Sequence, residues 1–166
     1  ANVVQLEADG DALVDFKKGI VAIREGGYDG RLMAHVTYDF LNALELKFAG
    51  QLGAETFAIN GVDTTFKTLD GVALIPTVST RMHTVATKDP GTKAITGGGD
   101  KIAFLIAGFS VPHAIAKHER VRVFTPEQNM HKDAWSIDYR LYHDTIVLDN
   151  RKAAIYVAKA PVAVGG

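Results

Sequence analysis

The chain has 166 residues, enough for one domain or one compact domain with an extension. Lys and Arg number 18 against 19 Asp and Glu, a net charge of -1 that supplies no basic excess for non-specific nucleic-acid binding. The absence of Cys removes disulfides, thiolate nucleophiles and Cys-type zinc sites together, and fits manufacture inside a cell. No apolar run approaches the roughly eighteen residues of a membrane span, and Ala1 to Leu6 lacks the basic start and apolar stretch of a signal peptide.

Near the front, Asp9-Gly10-Asp11 offers a helix N-cap. Leu13, Phe16, Ile20 and Ile23 then recur at spacings of three and four until Gly26-Gly27 stops the run, which predicts an amphipathic helix. Arg31 to Val36 is short, mostly apolar and bounded by Gly30, the pattern of a strand buried on both faces. Thr37 or Asp39 can cap a second helix with the stripe Leu41, Leu44, Phe48 and Leu52. Thr56 to Ile59 is a weak strand candidate ended by Asn60-Gly61. Thr65 to Leu69 and Val72 to Ile75 flank Asp70-Gly71, a two-residue hairpin signal, and Pro76 closes the second strand.

From Ser79 to Asp100 the chain is polar and rich in Gly, Thr and Lys, with Pro90 and Gly97-Gly98-Gly99. It reads as one long loop, of the kind that tends to be mobile or functional. Ile102 to Ala107 reads as a central buried strand, and Val111 to His118 as a short helix with Pro112 in its first turn. Arg120 to Phe124 alternates charge and bulk, as a half-exposed strand does, and Thr125 to Asp133 is a polar loop. Then Trp135, Ile137, Tyr139, Leu141 and Val147 are set off by Ser136, Asp138, Arg140 and Asp144, a period of two. With Asp149-Asn150-Arg151-Lys152 as the turn and Ala153 to Val157 returning, the last thirty residues read as one long β-hairpin. Its first strand, about fourteen residues, would span roughly 45 Å. An arm of that length outruns the core of a small domain and is expected to pack between domains or subunits.

Four stretches carry a resemblance. They are the first helix with Gly30-Arg31 and the buried strand entering a Tyr38-bearing helix; Leu69-Asp70-Gly71-Val72 with Ile75-Pro76 and Arg81-Met82; Ile102-Ala103-Phe104-Leu105-Ile106 with Pro112 to Phe124 behind it; and Trp135 to Asp144 ending in Ile155-Tyr156-Val157. Together they resemble the C-terminal part of a tailed-bacteriophage major capsid protein of the Hong Kong ninety-seven fold. The resemblance implies an α+β fold, a mixed sheet flanked by helices plus a long C-terminal β-hairpin, lacking that fold's N-terminal arm, extended loop and spine helix. It implies an axial-type core domain over residues 1–133, a peripheral-type hairpin over 134–160 and a tail over 161–166. About one hundred or more residues with a long helix are then expected upstream of Ala1.

In function the resemblance implies a coat subunit whose main partner is itself, as pentamers and hexamers. Scaffold or portal proteins would be further partners, packaged double-stranded DNA would be touched only non-specifically, and no membrane is involved. Its place would be the virion capsid, assembled in the bacterial host cytoplasm. No cofactor, metal or catalytic residue is implied, and no cross-linking residue is carried over. An encapsulin-like nanocompartment shell is the alternative within the fold. Outside it stand a small hydrolase or transferase using His143 or Ser110, and a binding domain that recruits a partner strand at the hairpin edge.

Subunit-contact candidates are Arg81, Lys88 and Lys101 of the long loop, Glu127 of the polar loop, and Tyr139, Arg140, Tyr142 and Asp144 of the hairpin. The six His residues are scattered, and His113 and His118 are five apart, on different faces of a helix rather than at the i,i+4 spacing of metal ligands. Ser110 with His143-Asp144 suggests a hydrolytic triad. However, Gly108-Phe109-Ser110-Val111-Pro112 lacks the Gly that follows the Ser of a nucleophile elbow, and adjacent strand residues point to opposite faces. Gly97-Gly98-Gly99-Asp100-Lys101 lacks the spacing of a phosphate-binding loop and reads as a flexible tip. Glu7, Asp9 and Asp11 alternate like calcium ligands but lack the bidentate Glu, and read as helix caps. Lys17-Lys18, Lys117, Arg120, Arg122 and Arg140 are the basic groupings with local density, read as solvated surface or intersubunit ion pairs.

Overall fold

The computed structural model describes residues 2–7, 10–48, 52–59, 62–92, 95–128 and 133–161, with the backbone alone at 48, 57–59, 62, 86, 88, 95, 96 and 118. Asp9 of the expected cap, the Asn60-Gly61 turn, residues 129–132 of the polar loop and most of the tail lie outside the described residues. The elements run β1 (Asn2–Gln5), α1 (Ala12–Glu25), β2 (Leu32–Thr37), α2 (Tyr38–Phe48), β3 (Gly53–Ile59), β4 (Val62–Leu69) and β5 (Val72–Thr77). Then follow β6 (His83–Lys88), β7 (Ile95–Gly108), β8 (Pro112–Phe124), β9 (Ser136–Val147) and β10 (Ile155–Lys159), with 3₁₀ turns at Ser79–Arg81, Pro126–Gln128 and Asp149–Ala154.

The chain divides into two compact units, one of residues 1–111 and 149–166, the other of residues 112–148. This division differs from the boundary expected between 133 and 134. In the first unit the sheet order is β1-β10-β7-β2-β5-β4-β3, with β6 paired to the first half of β7. The β1–β10 and β2–β5 pairs are parallel and the rest antiparallel, so the sheet is mixed.

Registry explains the core. Ala34 lies opposite Ile106 and Leu74, and Tyr156 lies opposite Ile106, so these side chains share one face. Both helices cover that face. Phe16 of α1 and Phe40 of α2 meet Phe104 of β7 at ring-centroid distances of 5.4 and 4.6 Å, and Tyr156 of β10 stacks on Phe104 at 6.1 Å. Gly19 is what lets α1 come this close: a Cβ there would stand 2.9 Å from Tyr156 Cδ1 and 3.0 Å from Ile106 Cδ1.

Helix starts follow the expected chemistry. Asp11 caps α1 by accepting from Leu13 N at 2.9 Å. Lys47 of α2 pairs with the same carboxylate, and that hydrogen bond is the main reason its pKa lies below the ordinary value. Thr37, not Asp39, serves α2: its Oγ1 accepts from Phe40 N at 3.4 Å and donates to Ala103 O at 3.2 Å. Thr37→Val keeps the shape but strands both partners in a buried place, so urea titration is expected to show a loss of about 1–2 kcal/mol.

The face of β2 away from the helices carries His35, whose Nδ1 lies 3.2 Å from Thr77 Oγ1. Burial lowers the pKa of its imidazole. The folded state therefore prefers the neutral ring, and this contribution is present above the unfolded pKa and lost as pH falls through the folded one. Thermal melts between about pH 7 and pH 5 are expected to show falling stability, with a shallower slope in His35→Gln.

Three expectations about elements give way. The stretch Ser79 to Asp100 is not a long loop: β6 and β7 form a hairpin, closed by Asp89 Oδ1 accepting from Gly91 N at 2.7 Å and Thr92 N at 3.1 Å. Gly97, Gly98 and Gly99 are strand residues of β7. A Cβ on Gly97 would sit 2.0 Å from the His83 ring, and Gly99, with φ +71, forms a bulge opposite Thr84. Val111 to His118 is not a helix, because Pro112 opens the long strand β8. The terminal hairpin does not exist either. The six-residue 3₁₀ turn Asp149–Ala154 re-aims the chain, so β10 joins β7 and β1, where Tyr156 and Ala158 are buried, while β9 pairs with β8. Burial of β10 in a ready-made sheet outweighs a local turn. The Asp70-Gly71 hairpin forms as expected, with φ 51 and 76.

Candidate assembly interface

The second unit is a two-stranded ribbon. β8 and β9 pair antiparallel from Pro112 opposite Val147 to Phe124 opposite Ser136, with a register shift between Ala116 and His118. Partners across an antiparallel pair share a face. One face carries Val123 with Ile137, Val121 with Tyr139, and Glu119 with Leu141; the other carries Arg122 with Asp138 and Arg120 with Arg140. On the first face every apolar side chain is open, from Ile137 at 71% to Leu141 at 41%. A lone pair of strands has no second layer on which to bury such a stripe. A contiguous open apolar face marks a contact surface.

Polar groups brace the ribbon. Tyr139 OH donates to Glu119 Oε1 at 3.1 Å, a bond to a carboxylate that raises the phenol's pKa. On the opposite face Arg140 Nε lies 3.2 Å from Asp138 Oδ2.

A chain of Mycobacterium phage Che8 matches this structure with a TM-score of 0.53 and 10% sequence identity, over 95% of this chain and 53% of that one. A chain of the asymmetric unit of the bacteriophage PhiM1 mature capsid matches with a TM-score of 0.52 and 13% identity, over 96% and 51%. The fold is that of tailed-phage capsid proteins. The chain spans about half the length of each of these two relatives. No family model and no curated protein matches the sequence. At such identities what persists is the order of elements and the pattern of buried positions, not individual side chains.

Within this capsid fold the expected contact residues fall in several places. Tyr139, Arg140, Tyr142 and Asp144 come together on β9, but Tyr139 stands on the apolar face and the other three on the opposite one. Asp144 Oδ1 accepts from Thr145 N at 2.8 Å. Glu127 lies in the 3₁₀ turn Pro126–Gln128 at the ribbon tip. Arg81 and Lys101 flank the backbone bond from Ile102 N to Met82 O in the first unit, and Lys101 also lines a cleft of about 340 Å³ with Asp15, Asp39, Phe40 and Met82. The side chain of Lys88 lies outside the described residues. Missing from that set are Val121, Val123, Ile137 and Leu141, although the alternation of Arg120 to Phe124 pointed to half of them.

Chemistry finds little footing. Ser110 Oγ lies 3.3 Å from Tyr28 OH, and consecutive His143 and Asp144 fall on opposite faces of β9. His113 and His118 are strand residues, opposite Ile146 and Tyr142, which corrects the helical placement. Among the described residues no three His, Asp or Glu side chains gather as metal ligands, and no helix is long and apolar enough to cross a membrane.

Proposed function

We propose that this chain is the shell-forming part of a tailed-phage or prophage coat protein, whose copies tile into an icosahedral container for double-stranded DNA. The likeness to the PhiM1 mature-capsid chain over 96% of this chain carries the reading. The first unit would be the axial-type body and the ribbon the peripheral-type arm. Pentamers and hexamers would form by burying apolar surface at heterologous interfaces, the ribbon's open stripe among them. Arg81, Lys88, Lys101, Glu127, Tyr139, Arg140, Tyr142 and Asp144 remain the proposed polar contacts. Scaffold or portal proteins and, non-specifically, packaged DNA would be the other partners, and the assembled virion formed in the host cytoplasm the place of action.

The test is to express the complete reading frame that encodes this chain in bacteria and examine the particles by sedimentation and electron microscopy. Closed shells of uniform size are expected. A discrete small species at every concentration overturns the reading.

A further inference from the structure

The arginine face of the ribbon is badly matched to itself. Arg120 and Arg140 are direct cross-strand partners, with Cβ atoms about 5 Å apart in such a pair, and like charges placed so are destabilising. Arg122 stands on the same face two residues along β8. Its cross-strand partner Asp138 contacts Arg140, and neither Arg120 nor Arg122 has a hydrogen bond or ion pair among the described residues. Around this pair three guanidinium groups thus share one carboxylate, and the face's other carboxylate, Asp144, stands four residues further along β9.

We propose that this face docks the ribbon tip of a second copy of the chain, through Glu127 and Asp133. The inference rests on the coat reading in that the occupant is another copy. The chain is close to neutral overall, so its surplus positive face has its counterpart elsewhere on the same sequence. Glu127 and Asp133 are exposed at the tip and unpaired among the described residues. With Lys132, which lies outside those residues, the tip's formal charge sums to -1. A guanidinium takes a carboxylate through two parallel hydrogen bonds, which suits arginines better than lysines to this task. Stacking arginine face on arginine face would double the repulsion, so the contact joins unlike patches. Face and tip are separate patches, so a copy that gives its tip to one neighbour still has its face free to receive the tip of another. Such a heterologous contact closes into a ring or runs on as a chain.

The test uses four samples of the whole chain in sedimentation velocity: wild type, Arg120→Glu with Arg122→Glu, Glu127→Lys with Asp133→Lys, and an equal mixture of the two variants. Wild type is expected to associate at about 50 mM salt and to weaken about tenfold or more by about 500 mM, as screening of exposed charges requires. Each reversal alone is expected to associate about tenfold more weakly or worse, and the mixture to recover wild-type behaviour. Neutral Arg120→Gln with Arg122→Gln, checked by circular dichroism, guards against a folding defect. Reversed variants that associate like wild type overturn the proposal. So does a mixture that stays apart, or a wild type that remains monomeric up to about 1 mM, a concentration at which even millimolar contacts register. Binding of a DNA duplex that is lost with the arginines, without any change in self-association, assigns the face to phosphate instead. Closed shells from the complete reading frame carrying the Arg-to-Glu pair would defeat the docking while leaving the coat reading intact.

Discussion

Replacing Phe104 by Ala is expected to lower folding stability by about 3–5 kcal/mol. Phe104 has no exposed surface and touches the rings of Phe16, Phe40 and Tyr156. Its strand, β7, lies between β10 and β2, so the side chain holds both helices and two neighbouring strands at once. The hole left by truncation is walled by elements from four parts of the chain, and they cannot all close inward together. The site therefore suffers the cavity cost as well as the lost transfer energy. Since whole domains are stable by only about 5–15 kcal/mol, a large part of the margin goes. Leu105→Ala provides the contrast, because Leu105 points to the half-open face of the same strand. Urea titration of both variants decides the matter, and equal costs would mean that the aromatic cluster is not the centre of the core.

Ile137→Asp is expected to leave the fold intact and to cripple assembly. The side chain is 71% exposed, so the folded monomer has little to lose, and melting temperature should hold within a degree or two of wild type. In an assembled copy the same position would place a charge opposite Val123, within the stripe formed with Val121, Tyr139 and Leu141. An interface anchor of this kind is worth about 2 kcal/mol or more, which weakens association roughly thirtyfold or beyond. Sedimentation of wild type and variant at matched concentrations reads the effect. An unchanged association constant would remove the apolar stripe from the list of contacts.

Periodicity made both helices legible, and the Asp70-Gly71 turn, because each of these is decided by residues close in sequence. What failed was partner choice. The alternation from Trp135 to Val147 identifies a strand but contains nothing about which strand it pairs with. A local turn at Asp149 made β10 look like the partner, when β8 lies across the ribbon instead. Gly97 to Gly99 looked like a loop because glycine lacks a side chain to reveal a period, although the His83 ring lying on Gly97 is the reason for the residue. Pro112, Ala114 and Ala116 carry no strand preference, so the first half of β8 owes its strand form mainly to pairing. The contact candidates suffered the same blindness. Tyr139 and Arg140 were visible as neighbours in sequence, yet their separation onto faces of opposite chemistry, and the roles of Arg120 and Val121 opposite them, depend on a register that only the paired strands define.

Pro112 and Val147 are register partners, so the chain departs for the ribbon and comes back at points about 5 Å apart. A loop that begins and ends at one spot is a detachable module. Residues 113–146 could be exchanged for a short Asn-Gly reverse turn, or for a foreign hairpin, without asking the sheet of β7 and β10 to change its own connections. The layout makes the arm a natural place for length and sequence to vary while the body stays the same, and a ready site for displaying an inserted peptide.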